Sequence, residues 1–406
     1  MLQSLRALWG YRDYRIFLLA RVISNLGNGM APTALAFAVL GLPAATAASL
    51  SAVLATQSAF LVITLPFGGV WADRIGRIRI VGGSDVVLGV LILVEAVLFL
   101  THTASVPVLI PFAAVFGVLH GIWYPAFPSI APVVSPSEHL QSANSVVSAA
   151  SNTAAIAGAA VAGAIVAGVG AGWAIAVDAL TFVVAGVLVW SLRHLSVPSQ
   201  AAESTWASMR RGWREFRSNR WVFVIVVAFA FIYLAFSGAN SVLGPVLMKE
   251  QFDGARSWAL IATIESIGFL LGSVVAMRLR PQRPMRVAML MMFGAPLFVL
   301  TMAVPLPVWL IAAGAFLAGA GMDVFQVLWI TALQKHVPAD ALTRVSAYDA
   351  FGSMLFGPLG TAVAGPASLA FGLRQAFVLA AVVMSLATFI ALVHPSVWRL
   401  SDRIGQ

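Results

Sequence analysis

The chain has 406 residues, 60% of them hydrophobic and only 10% charged, with a formal net charge of +9. Soluble domains carry about 25% charged residues, so this composition excludes a soluble globular protein. The lack of cysteine excludes a disulfide framework and thiolate metal centres. The bases are spread over connecting loops rather than gathered on one face, which argues against nucleic acid as a partner.

Residues 1–13 read as a short basic amphipathic lead-in, Leu2, Leu5 and Leu8 against Arg6 and Arg12. It has no small-residue cleavage site, so it is expected to stay on the chain. Runs of about 20 apolar residues then recur, each long enough to cross about 30 Å of hydrocarbon as a helix. They are too uniformly apolar for barrel strands, which alternate. The first six are expected at 14–40, 49–71, 80–100, 106–130, 142–169 and 173–192. A polar stretch from Arg193 to Arg220 follows, then six more runs near 221–247, 257–277, 287–304, 308–332, 344–369 and 374–394. The expected fold class is an all-α membrane protein with twelve transmembrane helices in two six-helix bundles, 1–194 and 220–406, joined by a linker at 195–219.

The bases agree with this count. With twelve spans, all but four of the 24 Lys and Arg fall at the termini or in even-to-odd loops. Lys249, Arg256 and Arg374 lie opposite, and Arg21 lies within the first helix. Basic loops stay in the cytoplasm, so both termini and the linker are expected there, in the cell's cytoplasmic (inner) membrane. The halves also repeat each other at a nearly constant offset. Tyr11-Arg12-x-x-Arg15 matches Phe216-Arg217-x-x-Arg220, and Gly68 to Arg74 matches Gly272 to Arg278. Such parallel repeats are found in secondary transporters.

Between the second and third runs sits a polar island, Gly68-Gly69-Val70-Trp71-Ala72-Asp73-Arg74-Ile75-Gly76-Arg77-Ile78-Arg79. Its Gly69-x-x-x-Asp73-Arg74-x-Gly76-Arg77 resembles motif A of the major facilitator superfamily. Ser137 to Ser145, Val177 to Phe182, Arg344 to Asp349 and Gly357-Pro358-Leu359-Gly360 resemble the branch of macrolide-efflux and siderophore-export proteins. The chain departs from the family where Gly158 is followed by Ala159 instead of proline. It departs again where Gly117 stands near the place of a fourth-helix arginine. The resemblance implies rocker-switch alternating access, a cavity lined by helices including the fourth, seventh and tenth, and a gating role for the island. Gly69 would allow close helix approach, Asp73 would meet a helix start or an arginine, and Arg74, Gly76 and Arg77 would hold the turn. The counterpart repeat has Met277 in place of Asp73, so only the first half supplies the acid. Its expected acceptor is the start of the eleventh helix, Arg344 to Asp349.

No glycine precedes Lys249 or Lys335, so no ATP-binding P-loop is encoded, and no cofactor or metal site is expected. Protons need titratable groups inside the membrane, where a charge at the centre costs about 2.5–3.5 kcal/mol. The acids available are Asp85, Glu95, Asp178, Glu265, Asp323 and Asp349. Asp85, Asp178 and Asp349 stand near helix ends and suit pairing or capping. Glu95 is deeper, but the resemblance puts the third helix outside the cavity. Glu265 and Asp323 stand nearest mid-membrane and are the leading proton carriers, with Asp178 and Arg21 also in the coupling set. Arg21, Asn25 and Asn28 share one face of the first helix. His120, Trp123, Tyr124 and Phe127 line the fourth, and Tyr233, Phe236 and Asn240 the seventh. With Gln326 on the tenth, these are the cavity candidates. An aromatic, weakly polar cavity suits amphipathic or cationic compounds.

The sequence therefore points to a monomeric transporter working in the lipid bilayer. Its expected role is proton-coupled efflux of hydrophobic or amphipathic small molecules, as in multidrug export and antibiotic resistance. The alternative is a symporter or facilitator importing a small metabolite. A membrane enzyme lacks support, since no nucleophile motif or clustered ligand spacing appears on any loop. The loops are too short for a catalytic domain, so the chain is not expected to be an enzyme.

Overall fold

The structure, a computed structural model, describes residues 8–127, 130–135, 140–195, 205–337 and 339–401. Among these the chain is helical, with no strand. We label the long helices α1 (Arg12–Leu40), α2 (Ala47–Ile75), α3 (Arg77–Leu100), α4 (Val106–Ala126), α5 (Leu140–Gly168) and α6 (Ala171–Ser191). Then come α7 (Arg220–Gln251), α8 (Ala255–Arg278), α9 (Pro284–Ala303), α10 (Val308–His336), α11 (Ala339–Met354 with Gly357–Phe371) and α12 (Leu373–Val393). Among the described residues, eleven of the twelve have the length and apolar character of a membrane span. The exception is α1, where Arg21, Asn25 and Asn28 lower the hydropathy. The chain is a multi-pass membrane protein.

Proline explains where two of the expected runs break. In α7 a π turn at Ala239–Leu243 precedes Pro245. That residue cannot donate to the helix ladder, and its ring crowds the carbonyl four residues back. Pro358 interrupts α11 in the same way, after Met354. The fourth run, expected to reach Ile130, ends as a long helix at Ala126, and a short helix follows at Ala131–Val134. The linker, which reads as a polar connection, carries an amphipathic helix at Thr205–Ser218. Its Phe216 is buried between Tyr348 at 5.8 Å and Phe223 at 5.7 Å, ring to ring.

Two compact units divide the chain: Met1–Ala45, Ala52–Ala201 and Asp253–Ala259 form the first, and Thr46–Ser51, Ala202–Phe252 and Leu260–Gln406 the second. Within the first unit α1 packs on α5 and α6, and α3 on α6; within the second α7 packs on α11 and α12, and α9 on α12. The internal repeat of the sequence is thus a repeat of packing partners. It extends to the backbone: Gly170 and Gly372 open α6 and α12 at φ of 104° and 91°, a conformation that glycine adopts without steric cost. Gly76, at φ 102°, turns the chain from α2 into α3 within a single residue.

Close approach is the common packing device. A Cβ on Gly158 would overlap the carbonyl oxygen of Leu26, and one on Gly360 that of Leu234. Helices in lipid gain nothing from hydrophobic burial against one another, so they associate through such contacts. On α3 the consequence is a two-faced helix. Val81, Ser84, Asp85, Leu88, Ile92 and Ala96 are buried, while Val87, Val90, Val94 and Val97 are exposed as an apolar stripe suited to lipid. Gly158→Leu should therefore destabilise the fold by about 1–3 kcal/mol or more, whereas Gly168→Ala, with open space around it, should leave it unchanged. Thermal melts of the detergent-solubilised variants, followed by size-exclusion chromatography, check both.

Candidate functional site

Each unit places its polar groups differently. In the first, Arg21 is 9% exposed and Asp85 2% exposed. The guanidinium lies over Phe127, 3.8 Å from the ring centroid, with Trp123 at 5.5 Å. Phe127 and Trp123 are themselves stacked 4.8 Å apart. Asp85 is coupled by charge to Arg21 and lies toward the Trp123 indole, yet Asp85 Oδ1, Arg21 Nε and Trp123 Nε1 close no hydrogen bond. The arginine thus rests on an aromatic platform, with its counter-charge on the neighbouring helix. A desolvated guanidinium over a ring gains about 2 kcal/mol or more from a good contact.

Further along the same unit, His120 stacks on Phe116 at 4.4 Å and meets Phe182 edge-on at 6.3 Å. It is drawn toward the Phe116 carbonyl, but its Nδ1 closes no hydrogen bond. Asp178, 4% exposed, presses against α1, where a Cβ on Gly27 would overlap Asp178 Oδ1 and Thr181 Oγ1. That carboxyl oxygen has no hydrogen-bond partner, and the charge that Asp178 feels comes from Glu95 of α3. Asn25 donates back to the Arg21 carbonyl at 2.8 Å, and Asn28 is half-buried. Tyr124 is 49% exposed, which sets it apart from the half-buried His120 and Trp123 of the same helix.

In the second unit two acids of the membrane helices are hydrogen-bonded. Ser273 Oγ donates to Asp323 Oδ2 at 2.6 Å. Trp329 Nε1 donates to Asp349 Oδ2 at 2.8 Å, and Ser353 Oγ to Asp349 Oδ1 at 3.3 Å. Trp329 continues an aromatic column with Phe325 at 6.0 Å and Trp221 at 5.4 Å. Glu265 is half-buried midway along α8. Gly319 of α10 lets that helix pass against the Glu265 backbone, where a Cβ would overlap the carbonyl oxygen. Tyr233 packs on Gly357 and Phe236 is half-buried. Asn240 sits in the π turn with Oδ1 unmatched, and Gln326 is exposed.

Of the gating set, the helix-breaking turn at Gly76 is in place, and Arg74 and Arg77 are exposed beside it. The surroundings of Gly69 and the side chains of Asp73 and Arg344 lie outside the described residues. So do residues 1–7 and 136–139 and the side chains at 144 and 145. Asp349, grouped with the gate from its place in the sequence, is held by Trp329 and Ser353. That link, the Ser273–Asp323 bond and the coupling of Glu95 to Asp178 cannot be read from helical spacing, which orders one helix but not its neighbours. No group of three or more metal-ligating side chains occurs among the described residues.

The Major Facilitator Superfamily family model matches residues 17–361. A curated relative, "Uncharacterized MFS-type transporter YkuC" of Bacillus subtilis (strain 168), is 23% identical over 361 residues, covering 82% of this chain and 80% of the relative. Among solved structures, the nucleoside transporter NupG superposes with a TM-score of 0.75 at 13% identity, covering 96% of this chain and 100% of that one. A bacterial homolog of the human lysosomal transporter Spinster, in an inward-facing and unoccupied conformation, gives 0.73 at 15% over 94% and 97%. The peptide transporter POT in complex with sulfate gives 0.73 at 15% over 97% and 96%. At these identities the structures share the fold.

If Arg21 and Asp85 depend on each other, Arg21→Leu should cost about 3–5 kcal/mol by leaving a buried carboxyl unbalanced. Adding Asp85→Asn should recover part of that loss. A double-mutant cycle on thermal stability measures the coupling, expected at about 0.5–3 kcal/mol.

Proposed function

From the premise that the chain belongs to the Major Facilitator Superfamily, and so is a transporter of small molecules across a lipid bilayer rather than an enzyme, we propose that it is a proton-coupled exporter. Its cargo on this reading is a hydrophobic or amphipathic small molecule, moved by alternating access. It works as a monomer in the cytoplasmic membrane with both termini inside. The observation that carries this reading is Glu265, a half-buried carboxyl midway along a membrane helix. Such a group is costly when charged, and its natural use is to take up and release a proton as its surroundings change. Asp323, Asp178 and Arg21 complete the coupling set. The aromatic faces around Trp123 and Phe236 support an apolar, π-rich cargo.

Energetics permits the role. One proton crossing about 100 mV supplies roughly 2.3 kcal/mol, a little under 50-fold accumulation at about 1.36 kcal/mol per decade. The alternative, import of a metabolite by symport or facilitation, is the same machine run in the other direction. The nucleoside and peptide transporters that share the fold do so at 12–15% identity, so their cargoes add little weight to it.

In proteoliposomes, Glu265→Gln should abolish efflux of a lipophilic cationic dye driven by a pH gradient, with dye binding retained. Asp323→Asn should weaken it. Unchanged efflux in both variants rules out these acids as carriers, and dye accumulation in the opposite sense favours import.

A further inference from the structure

Of the ten buried side-chain nitrogen and oxygen atoms without a hydrogen-bond partner among the described residues, seven belong to the first unit. Protein interiors leave few polar groups unmatched, and a cluster of them marks a place where something else is bound, most often water. Three of the seven sit on ionisable side chains more than nine-tenths buried: Arg21, Asp85 and Asp178. Between their end turns, α1, α3, α4, α5 and α6 carry only two further acids, bases or histidines, Glu95 and His120; α5 carries none.

These five groups lie along one series of contacts. Gly89 of α3 packs on Ala179 and Val183 of α6, and Gly172 packs on Phe99 and Leu100. This sets Glu95 near the level of Asp178 across the two helices, where its charge acts on that carboxyl. One turn along α6 from Asp178, the Phe182 ring lies 6.3 Å from His120, and His120 lies 6.1 Å from Trp123. Trp123 in turn stands beneath Arg21 and toward Asp85. Asp85 and Glu95 are ten residues apart on α3, about 15 Å along a helix, which is half of the roughly 30 Å hydrocarbon layer.

We propose that these five residues form a hydrated proton relay inside the first unit, in which Glu95 and Asp178 share one proton and His120 passes it through bound water to Asp85 beside Arg21. A carboxylic O–H of the acid pair breaks as a bridging water gains that proton and gives one of its own to the free lone pair of the imidazole. The imidazolium then loses a proton to the Asp85 carboxylate, which becomes the neutral acid. Arg21 keeps its charge throughout, held on the faces of Phe127 and Trp123, and stabilises Asp85 before the proton arrives. Each transfer moves one proton and leaves no other bond changed. Among the described residues the second unit has no such series: there Asp323 and Asp349 are hydrogen-bonded.

The relay rests on the proton-coupled reading for its purpose, but its existence can be tested without any cargo. The full chain in lipid nanodiscs is followed by infrared spectroscopy of buried carboxylic C=O bands, through a pH titration and through hydrogen–deuterium exchange. Bands are assigned by difference from the variants. In the wild type the Glu95 and Asp178 bands should titrate as a coupled pair in two steps, and Glu95→Gln should leave Asp178 a single step at a shifted midpoint. His120→Gln, which keeps a polar side chain, should slow exchange at Asp178 about a hundredfold with the melting temperature unchanged. Asp85→Asn reads the same path from its other end and should slow it likewise. An Asp178 titration indifferent to Glu95→Gln overturns the shared proton. Exchange indifferent to both His120→Gln and Asp85→Asn overturns the relay. Dye efflux insensitive to a pH gradient, with the bands behaving as described, refutes the proton-driven reading of transport and leaves the relay standing.

Discussion

A guanidinium within a membrane helix bundle is cut off from bulk water, so every neighbour of Arg21 has to contribute to keeping it there. Two aromatic faces take the place of a hydration shell, and Asp85 supplies the opposite charge from another helix. This arrangement fixes much else. It requires α1, α3 and α4 to meet at one level, it places Phe127 and Trp123 in register one turn apart, and it leaves polar atoms unmatched on all three helices. Because no hydrogen bond locks the counter-ion to the guanidinium, the interaction of Arg21 with Asp85 remains adjustable. A hydrogen-bonded ion pair at the same place would be stiffer, and breaking it would cost more.

The two units solve the same packing problem with the same partner pairs, and they differ in their polar chemistry. Their backbones even turn with glycines at matching places, Gly170 and Gly372. Yet where the first unit has Gly69 in its polar island, the second has Ser273, whose hydroxyl holds Asp323. The divergence of the two halves is therefore a divergence in how acids are treated. In the second unit Asp323 and Asp349 are tied down by hydrogen bonds. In the first, Asp178 feels the charge of Glu95, and Asp85 that of Arg21.

Much of this is legible in the sequence. Twelve runs, their approximate limits and the half-chain repeat follow from hydropathy and from the spacing of a few residues such as Tyr11 and Phe216, because membrane helices are set by length and apolarity. The breaks at Pro245 and Pro358 are also readable in principle, since proline acts on its own helix. What lies beyond reach is the pairing of side chains between helices. Asp85 near a helix end suggests an ion pair, but nothing in the order of residues names Arg21 as its partner. The same holds for Trp329 and Asp349, on neighbouring helices twenty residues apart, and for Glu95. Its helix reads as peripheral, but its carboxyl couples inward to Asp178. The identity of a partner across a bundle depends on helix rotation, and rotation is decided by the summed fit of small residues such as Gly27, Gly89 and Gly186.

Gly27 stands where any side chain would collide with Asp178 and Thr181, so the carboxyl of Asp178 is set against the backbone of α1. Arg21 lies six residues earlier on the same helix, about 9 Å along its axis. One rigid rod thus carries contacts to both ends of the acid series. A change in charge at Asp178 alters the force on α1 at Gly27, and a change at Asp85 alters it at Arg21. On the proton-coupled reading proposed above, a helix touched at two such points would link protonation to helix position, because these forces are weakly screened in lipid. The polar stripe that keeps α1 from reading as an ordinary membrane span is the same feature that would give it this role.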